Sequence, residues 1–64
     1  MSRQFRQWVD EYQNQAWTLA RYLLKDPAEA EDAVQEAFVK LWHKHETVEP
    51  DKIRPWLMRV TRNN

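Results

Sequence analysis

The 64-residue chain contains no glycine and no cysteine, and it has no long hydrophobic run. Without cysteine, neither a disulfide framework nor a thiolate metal site can form, which suits a protein of the reducing cytoplasm. No stretch of about 18 apolar residues is present, and no short apolar segment follows a basic start, so we expect neither a membrane span nor a secretory signal. We therefore predict a cytoplasmic protein.

Because glycine is absent and proline occurs only three times, helix is favoured over almost the whole chain. The spacing of apolar residues predicts three helices, at about residues 3–25, 27–45 and 52–64. Asp26 is placed to cap the second helix, with Pro27 at its first position and Glu29 three residues after the cap. The segment after the second helix, up to Pro50 or Asp51, is predicted to be a loop.

Each predicted helix carries one apolar stripe. Three such stripes can bury one another only as an all-α, compact three-helix bundle, and we predict that residues 1–64 form this single domain. Large aromatic side chains are expected to supply much of the core. The predicted core residues are Phe5, Trp8, Val9, Tyr12, Ala16, Leu19, Ala20 and Leu23 in the first helix, Ala30, Ala33, Val34, Ala37, Phe38 and Leu41 in the second, and Ile53, Trp56, Leu57 and Val60 in the third, with Trp17, Tyr22 and Trp42 as further aromatic area.

Ten basic and ten acidic residues give a net charge of zero, which argues against a protein that binds nucleic acid mainly by non-specific attraction. The charges are nevertheless segregated. Residues 26–36 contain five acids and no base, whereas residues 52–62 contain four bases and no acid. One reading is that each helix complements its own macrodipole. The other is that the second helix presents an acidic surface and the third a basic one.

The side of the second helix opposite its apolar stripe carries residues at i, i+3, i+4 spacing, namely Asp32, Gln35, Glu36, Val39 and His43. A solvated helix surface would look similar, because single exposed apolar residues are common. A surface kept for a protein partner is the alternative that the placement of Val39 among polar residues suggests.

Two motifs carry a family resemblance. The motif Asp32-x-x-Gln35-Glu36-x-Phe38, followed by Trp56-Leu57-x-Arg59-Val60-x-Arg62-Asn63, resembles the amino-terminal core-binding and promoter-melting domain, called region 2, of bacterial sigma factors of the extracytoplasmic-function type. The similarity extends over about residues 19–63. It implies a sigma-factor domain 2 fold that is truncated at its carboxyl end, without the later promoter-reading segment and the second DNA-binding domain. It also implies a role in transcription initiation.

By this resemblance, Asp32, Gln35, Glu36 and Val39 would bind the clamp helices of the largest subunit of core RNA polymerase. Carboxylates on one helical face can accept charge-assisted hydrogen bonds from arginines, and an aliphatic residue gives such an interface an apolar centre. The family is also commonly inhibited by anti-sigma factors, so a partner of this class is expected.

The resemblance also assigns Arg59, Arg62 and Asn63 to DNA, specifically to the non-template strand of the downstream (−10) promoter element. Guanidinium groups would contact phosphate while the amide would reach a base edge. Trp56 is predicted to belong to the core. In the family, the loop before this helix usually captures a flipped base with an aromatic or basic residue. Here residues 46–51 are acidic and contain no aromatic residue.

Other functions are less well supported by the sequence. His43 and His45 are two residues apart and so point to different helix faces, and beside them and Glu46 no fourth ligand is evident, so no metal site is expected, and no cofactor is expected either. The chain lacks a nucleophile–base set and a glycine-rich phosphate loop, which argues against an enzyme. Two alternatives remain open: a free-standing three-helix DNA-binding module, and a helical protein-interaction domain with no DNA role.

Overall fold

The computed structural model describes residues 3–63, and within them it contains three α-helices, one short 3-10 helix and no strand. The helices are α1 (Arg3–Leu23), α2 (Pro27–Lys44) and α3 (Ile53–Asn63), and the 3-10 helix (Pro50–Lys52) leads directly into α3. Each α-helix contacts both of the others. The predicted all-α three-helix bundle is therefore confirmed. No helix in this part of the chain has the length and apolar character needed to cross a membrane.

The predicted helix boundaries differ from the observed ones by one or two residues. The first helix was predicted to reach residue 25 but ends at Leu23, although the Leu24 amide still donates to the Ala20 carbonyl at 2.8 Å. The second was predicted to reach residue 45 and ends at Lys44. The loop before the third helix was predicted to extend to Pro50 or Asp51, but it ends at residue 49, because Pro50 already begins the 3-10 helix. The predicted end at residue 64 lies outside the described residues.

The corner between α1 and α2 is built by Asp26 and Pro27. Proline disfavours a helical conformation in the residue before it, and Asp26 is extended, with φ −87° and ψ 120°. Its Oδ1 accepts a hydrogen bond from the Ala28 amide at 2.9 Å, which confirms the predicted N-cap. Within the described chain, Glu29 makes no reciprocal bond to Asp26, so a complete capping box is not formed.

Two groups of buried residues form the core. The larger cluster combines residues from all three helices, and a smaller cluster lies between the end of α1 and the start of α2. Phe38 and Met58 are partly buried and pack against both clusters. The larger cluster consists of Phe5, Trp8, Ala37, Leu41, Ile53 and Leu57, and the smaller one of Ala16, Ala20, Ala30 and Val34.

The expectation of an aromatic-rich core was partly wrong. Trp8 is the only buried tryptophan, whereas Trp17, Trp42 and Tyr22 are exposed and Trp56 is half-buried. Buried alanines and not rings fill the contact between the end of α1 and the start of α2, and the Trp42 ring packs on Phe5 at the bundle surface. The predicted apolar stripes also included residues at their edges that are not fully buried. Val9, Tyr12, Leu19, Phe38 and Val60 are half-buried, and Leu23 is exposed.

Thr61 was not predicted to be in the core, yet it is 2% exposed. Together with Ile53 and Leu57 it forms the buried face of α3, since the three residues are spaced four apart. Its Oγ1 atom has no hydrogen-bond partner among the described residues. A hydroxyl that is removed from water without a partner lowers the stability of the fold.

Candidate functional site

The four residues predicted to bind polymerase lie together on α2. Asp32, Gln35, Glu36 and Val39 are all exposed, and they line one shallow depression of about 480 Å³ with Lys40 at its edge. We call these four residues the acidic patch. The helix that carries them is fixed to the bundle by its opposite face, where Ala33, Ala37 and Leu41 are among the buried residues. The patch is therefore an exposed surface of the bundle with two carboxylates, one amide and one aliphatic side chain.

Glu31 extends this surface and was not predicted. The Gln35 Nε2 group donates to Glu31 Oε1 at 3.2 Å across one turn of the helix. This bond leaves the carbonyl oxygen of the Gln35 amide available as an acceptor for an external donor. The i, i+4 spacing of the two residues was the signal in the sequence that could have identified Glu31.

An apolar groove adjoins the acidic patch and was also missed. Phe5, Val9, Phe38, Val39 and Trp42 line it between α1 and α2, with a volume of about 340 Å³. Val39 is 56% exposed and Trp42 is 40% exposed, so two large apolar side chains one helical turn apart face water here. The acidic patch thus continues into an apolar surface, the combination found where protein interfaces have an apolar centre and a polar rim.

The Trp42 indole is held in place by aromatic neighbours. The Phe5 ring meets it edge-on, with a centroid separation of 5.0 Å, and the His45 imidazole stacks on it at 5.1 Å. His45 Nδ1 is 2.7 Å from the Trp42 carbonyl oxygen, which fixes the imidazole to the end of α2. Trp42 is therefore an exposed but preorganised ring.

On α3, Arg59, Arg62 and Asn63 are all exposed. Arg59 and Arg62 line a groove of about 690 Å³ between α1 and α3, whereas Asn63 is not among the residues that line it. Neither arginine forms an ion pair with any residue between 3 and 63. We call this groove the α1–α3 groove; its lining residues are Gln15, Thr18, Leu19, Tyr22, Arg54, Met58, Arg59 and Arg62.

A second groove, of about 610 Å³, lies on the other side of Arg59. Trp56 lines it together with Arg59 and residues of the α2–α3 connection. The prediction that Trp56 belongs to the core was thus half correct, because the side chain packs against the larger cluster and also faces this groove. The i, i+3 spacing of Trp56 and Arg59 places them on neighbouring positions of the same helix surface.

The α2–α3 connection is short and well tethered. Residues 45–49 form the loop, and Thr47 Oγ1 donates to the Lys44 carbonyl at 2.8 Å. Val48 is half-buried and packs against the larger cluster. The Lys52 ammonium lies 3.8 Å from a Glu49 carboxylate oxygen, but both side chains are largely exposed, so this pair is worth little. The ring that this loop carries, the His45 imidazole, is stacked on Trp42, and the loop offers no other ring with which to hold a base.

Within residues 3–63, no group of three histidine, aspartate or glutamate side chains is arranged to hold a metal ion. The two groups of predicted site residues differ in charge. The acidic patch lies on α2 and the arginines lie on α3, so the two surfaces are separate and of opposite sign.

Comparison with known proteins gives one family. The model of the Sigma-70 region 2 family matches residues 8–64. The chain is 42% identical over 57 residues to the ECF RNA polymerase sigma factor SigL of Mycobacterium tuberculosis, a match that covers 84% of this chain and 32% of that protein. It is 36% identical over 52 residues to the protein named Probable RNA polymerase sigma factor RfaY of Xanthomonas campestris pv. campestris, covering 80% of this chain and 13% of that protein. The chain thus spans a third or less of the length of these curated relatives. No solved structure matches.

Proposed function

Because the chain belongs to the sigma-70 region 2 family, and is of the extracytoplasmic-function type, we propose that it docks on core RNA polymerase and helps to recognise and melt the −10 promoter element. The family consists of transcription factors and not of enzymes. The proposed partners are the clamp helices of the polymerase largest subunit, the non-template strand of promoter DNA and an anti-sigma factor. The protein would carry out this proposed activity in the cytoplasm.

The exposed acidic patch supports the polymerase contact and is the observation that carries the proposal. Asp32 and Glu36 lie one turn apart on α2, so two arginines of a partner helix could each find a carboxylate. Val39 and Trp42 supply the apolar area beside them. Charge pairing would set the orientation of the partner, and burial of the two apolar side chains would add affinity.

The exposed cations of α3 support the DNA contact. Arg59 and Arg62 have no acidic partner within the described chain, so their guanidinium groups are available to phosphate oxygens. Asn63 is exposed next to them, and its amide can donate to and accept from a base edge. A zero net charge and few cations mean that little counterion is released, so we expect the isolated chain to bind DNA weakly.

The free-standing DNA-binding module is the less favoured alternative. Such a module enters the major groove with a recognition helix that follows a short turn. Here α3 is preceded by a five-residue loop and a 3-10 helix, with Glu46, Glu49 and Asp51 exposed. Three carboxylates at the leading end of the helix would oppose its approach to duplex phosphates.

The test of this proposal is a triple variant, Asp32→Ala, Gln35→Ala and Glu36→Ala. All three side chains are exposed, and surface changes of this kind usually cost within about 0.5 kcal/mol each, so helix content and melting temperature should hardly change. Binding to immobilised core polymerase, and to a fragment containing its clamp helices, should be lost. Circular dichroism and biolayer interferometry are the measurements.

The matched control is Gln7→Ala, Asp10→Ala and Glu11→Ala in α1. These residues are exposed, share the i, i+3, i+4 spacing and remove the same charges. The control should bind polymerase as the parent chain does. Equal loss of binding in both variants would show that total charge matters and the patch does not, and loss of cooperative unfolding in the first would show that the patch is structural.

A further inference from the structure

Tyr22 is an exposed ring that the fold does not need. It is 85% exposed, the highest value among the exposed large hydrophobic side chains, and it belongs to neither core cluster. The sequence placed it with the aromatic core, and the structure places it at the α1–α3 groove. A single exposed apolar side chain is common on protein surfaces, but this ring lies at a groove that also presents cations.

The α1–α3 groove combines an apolar lining with positive charge. Leu19 and Met58 are half-buried within it, while the three arginines at positions 54, 59 and 62 are exposed. None of the described residues that line it is acidic. The Arg54 Nε group donates to Gln15 Oε1 at 2.6 Å, which ties this guanidinium to α1 across the groove. The cations here are therefore not neutralised by neighbouring carboxylates, and one of them is held in position.

This chemistry fits single-stranded nucleic acid. Such strands are bound by positively charged grooves that follow the phosphates and by aromatic rings on which bases stack. Arg59 and Arg62 are already proposed as phosphate contacts, so the groove continues the proposed DNA surface. The α2–α3 loop carries one ring, the His45 imidazole, which is stacked on Trp42, whereas Tyr22 is exposed and lies at this groove.

We infer that the non-template single strand passes along the α1–α3 groove and that one of its bases stacks on Tyr22. The inference rests on the proposed DNA-binding function and adds to it a residue of α1 that neither motif contains. Stacking is tolerant of sequence because every base has a π face. Tyr22 thus contributes affinity for the unpaired strand, while Asn63 contributes discrimination between bases.

The test measures fluorescence anisotropy of a labelled oligo(dT) of roughly 12 nucleotides, within the range of single-strand site sizes, titrated with the 64-residue chain at low salt. Tyr22→Ala should lower affinity by about fivefold or more, the lower limit for loss of one base–aromatic stack. Tyr22→Phe should bind as the parent does, because the ring and not the hydroxyl makes the contact. Trp17→Ala is the matched control, since it removes another exposed ring from α1 that does not line this groove.

The salt dependence separates the two roles. Tyr22→Ala should leave the slope of log affinity against log salt unchanged, whereas Arg62→Ala should reduce it by about one unit. If Tyr22→Ala binds as tightly as the parent while Arg62→Ala is weakened, the inference fails and the proposed DNA contact stands. If neither variant binds more weakly than the parent, or if the groove binds an acidic amphipathic peptide and no single strand, then the inference and the proposed DNA contact are both wrong.

Discussion

Thr61 gives the sharpest test of the packing, because replacing it should make the protein more stable. Its side chain is 2% exposed, and its hydroxyl has no hydrogen-bond partner in the described chain. Valine has nearly the same shape and a similar helix propensity, so Thr61→Val keeps the contacts with the buried face of α3 and removes only the unsatisfied polar atom. An unsatisfied buried group costs about 1 to 3 kcal/mol.

The free energy of unfolding should therefore increase by about 1 kcal/mol or more. For a domain of this size, each kcal/mol raises the melting temperature by about 4 to 8 °C. Thermal unfolding followed by circular dichroism measures it. Thr61→Ser, which keeps the hydroxyl and removes the buried methyl group, should lose about 1 kcal/mol. Thr18→Val, at an exposed position of α1, is the matched control and should change stability by less than about 0.5 kcal/mol. A lower melting temperature for Thr61→Val would refute the reasoning, because it would mean that the hydroxyl has a partner in solution.

Two further substitutions test the core and the corner. Phe38→Ala should destabilise the fold by about 2 kcal/mol, because the ring contacts both clusters but is only half-buried. A fully buried phenylalanine would typically cost roughly 3 to 5 kcal/mol. Chemical denaturation measures the change, and a negligible one would show that the two clusters do not depend on the Phe38 ring. Asp26→Ala should cost about 1 kcal/mol through loss of the cap bond to the Ala28 amide, whereas Glu29→Ala should cost less because no cap bond involves it; equal losses in melting temperature would indicate a reciprocal capping box in solution.

The elements of the fold could be predicted from local chemistry. Absence of glycine favoured helix, and Asp26 with Pro27 marked the corner because capping and the restriction before proline are both local effects. The depth at which each side chain lies could not be predicted in the same way. Helical spacing gives the direction of a residue from its helix axis, but exposure depends on how closely the neighbouring helix approaches. Ala16 and Leu41 are buried, whereas the next residue after each of them, Trp17 and Trp42, lies at the edge of its stripe and is exposed.

The candidate site, like the fold, could be predicted only in part. The four residues of the acidic patch lie on one helix, so spacing alone was enough to group them. The grooves each combine residues from two elements, and only the packed bundle brings Tyr22 beside Arg62, or Val9 beside Val39. The functional roles of the acidic patch and the grooves are predictions based on family membership, and the experiments above test them.

The uneven division of the core has a consequence for motion. The smaller cluster contains three alanines and one valine, so the end of the bundle that holds the α1–α2 corner buries much less apolar area than the end that holds Leu41, Ile53 and Leu57. Backbone amides near the corner should accordingly exchange with deuterated solvent through local opening, while those around Leu41 should exchange only when the whole domain unfolds. Asp32 and Gln35 lie within two residues of Val34 of the smaller cluster, whereas Glu36 directly precedes Ala37 of the larger one. A partner that holds this surface would therefore slow exchange at the end of the patch that adjoins the smaller cluster, so that docking and completion of folding are coupled at one end of the domain.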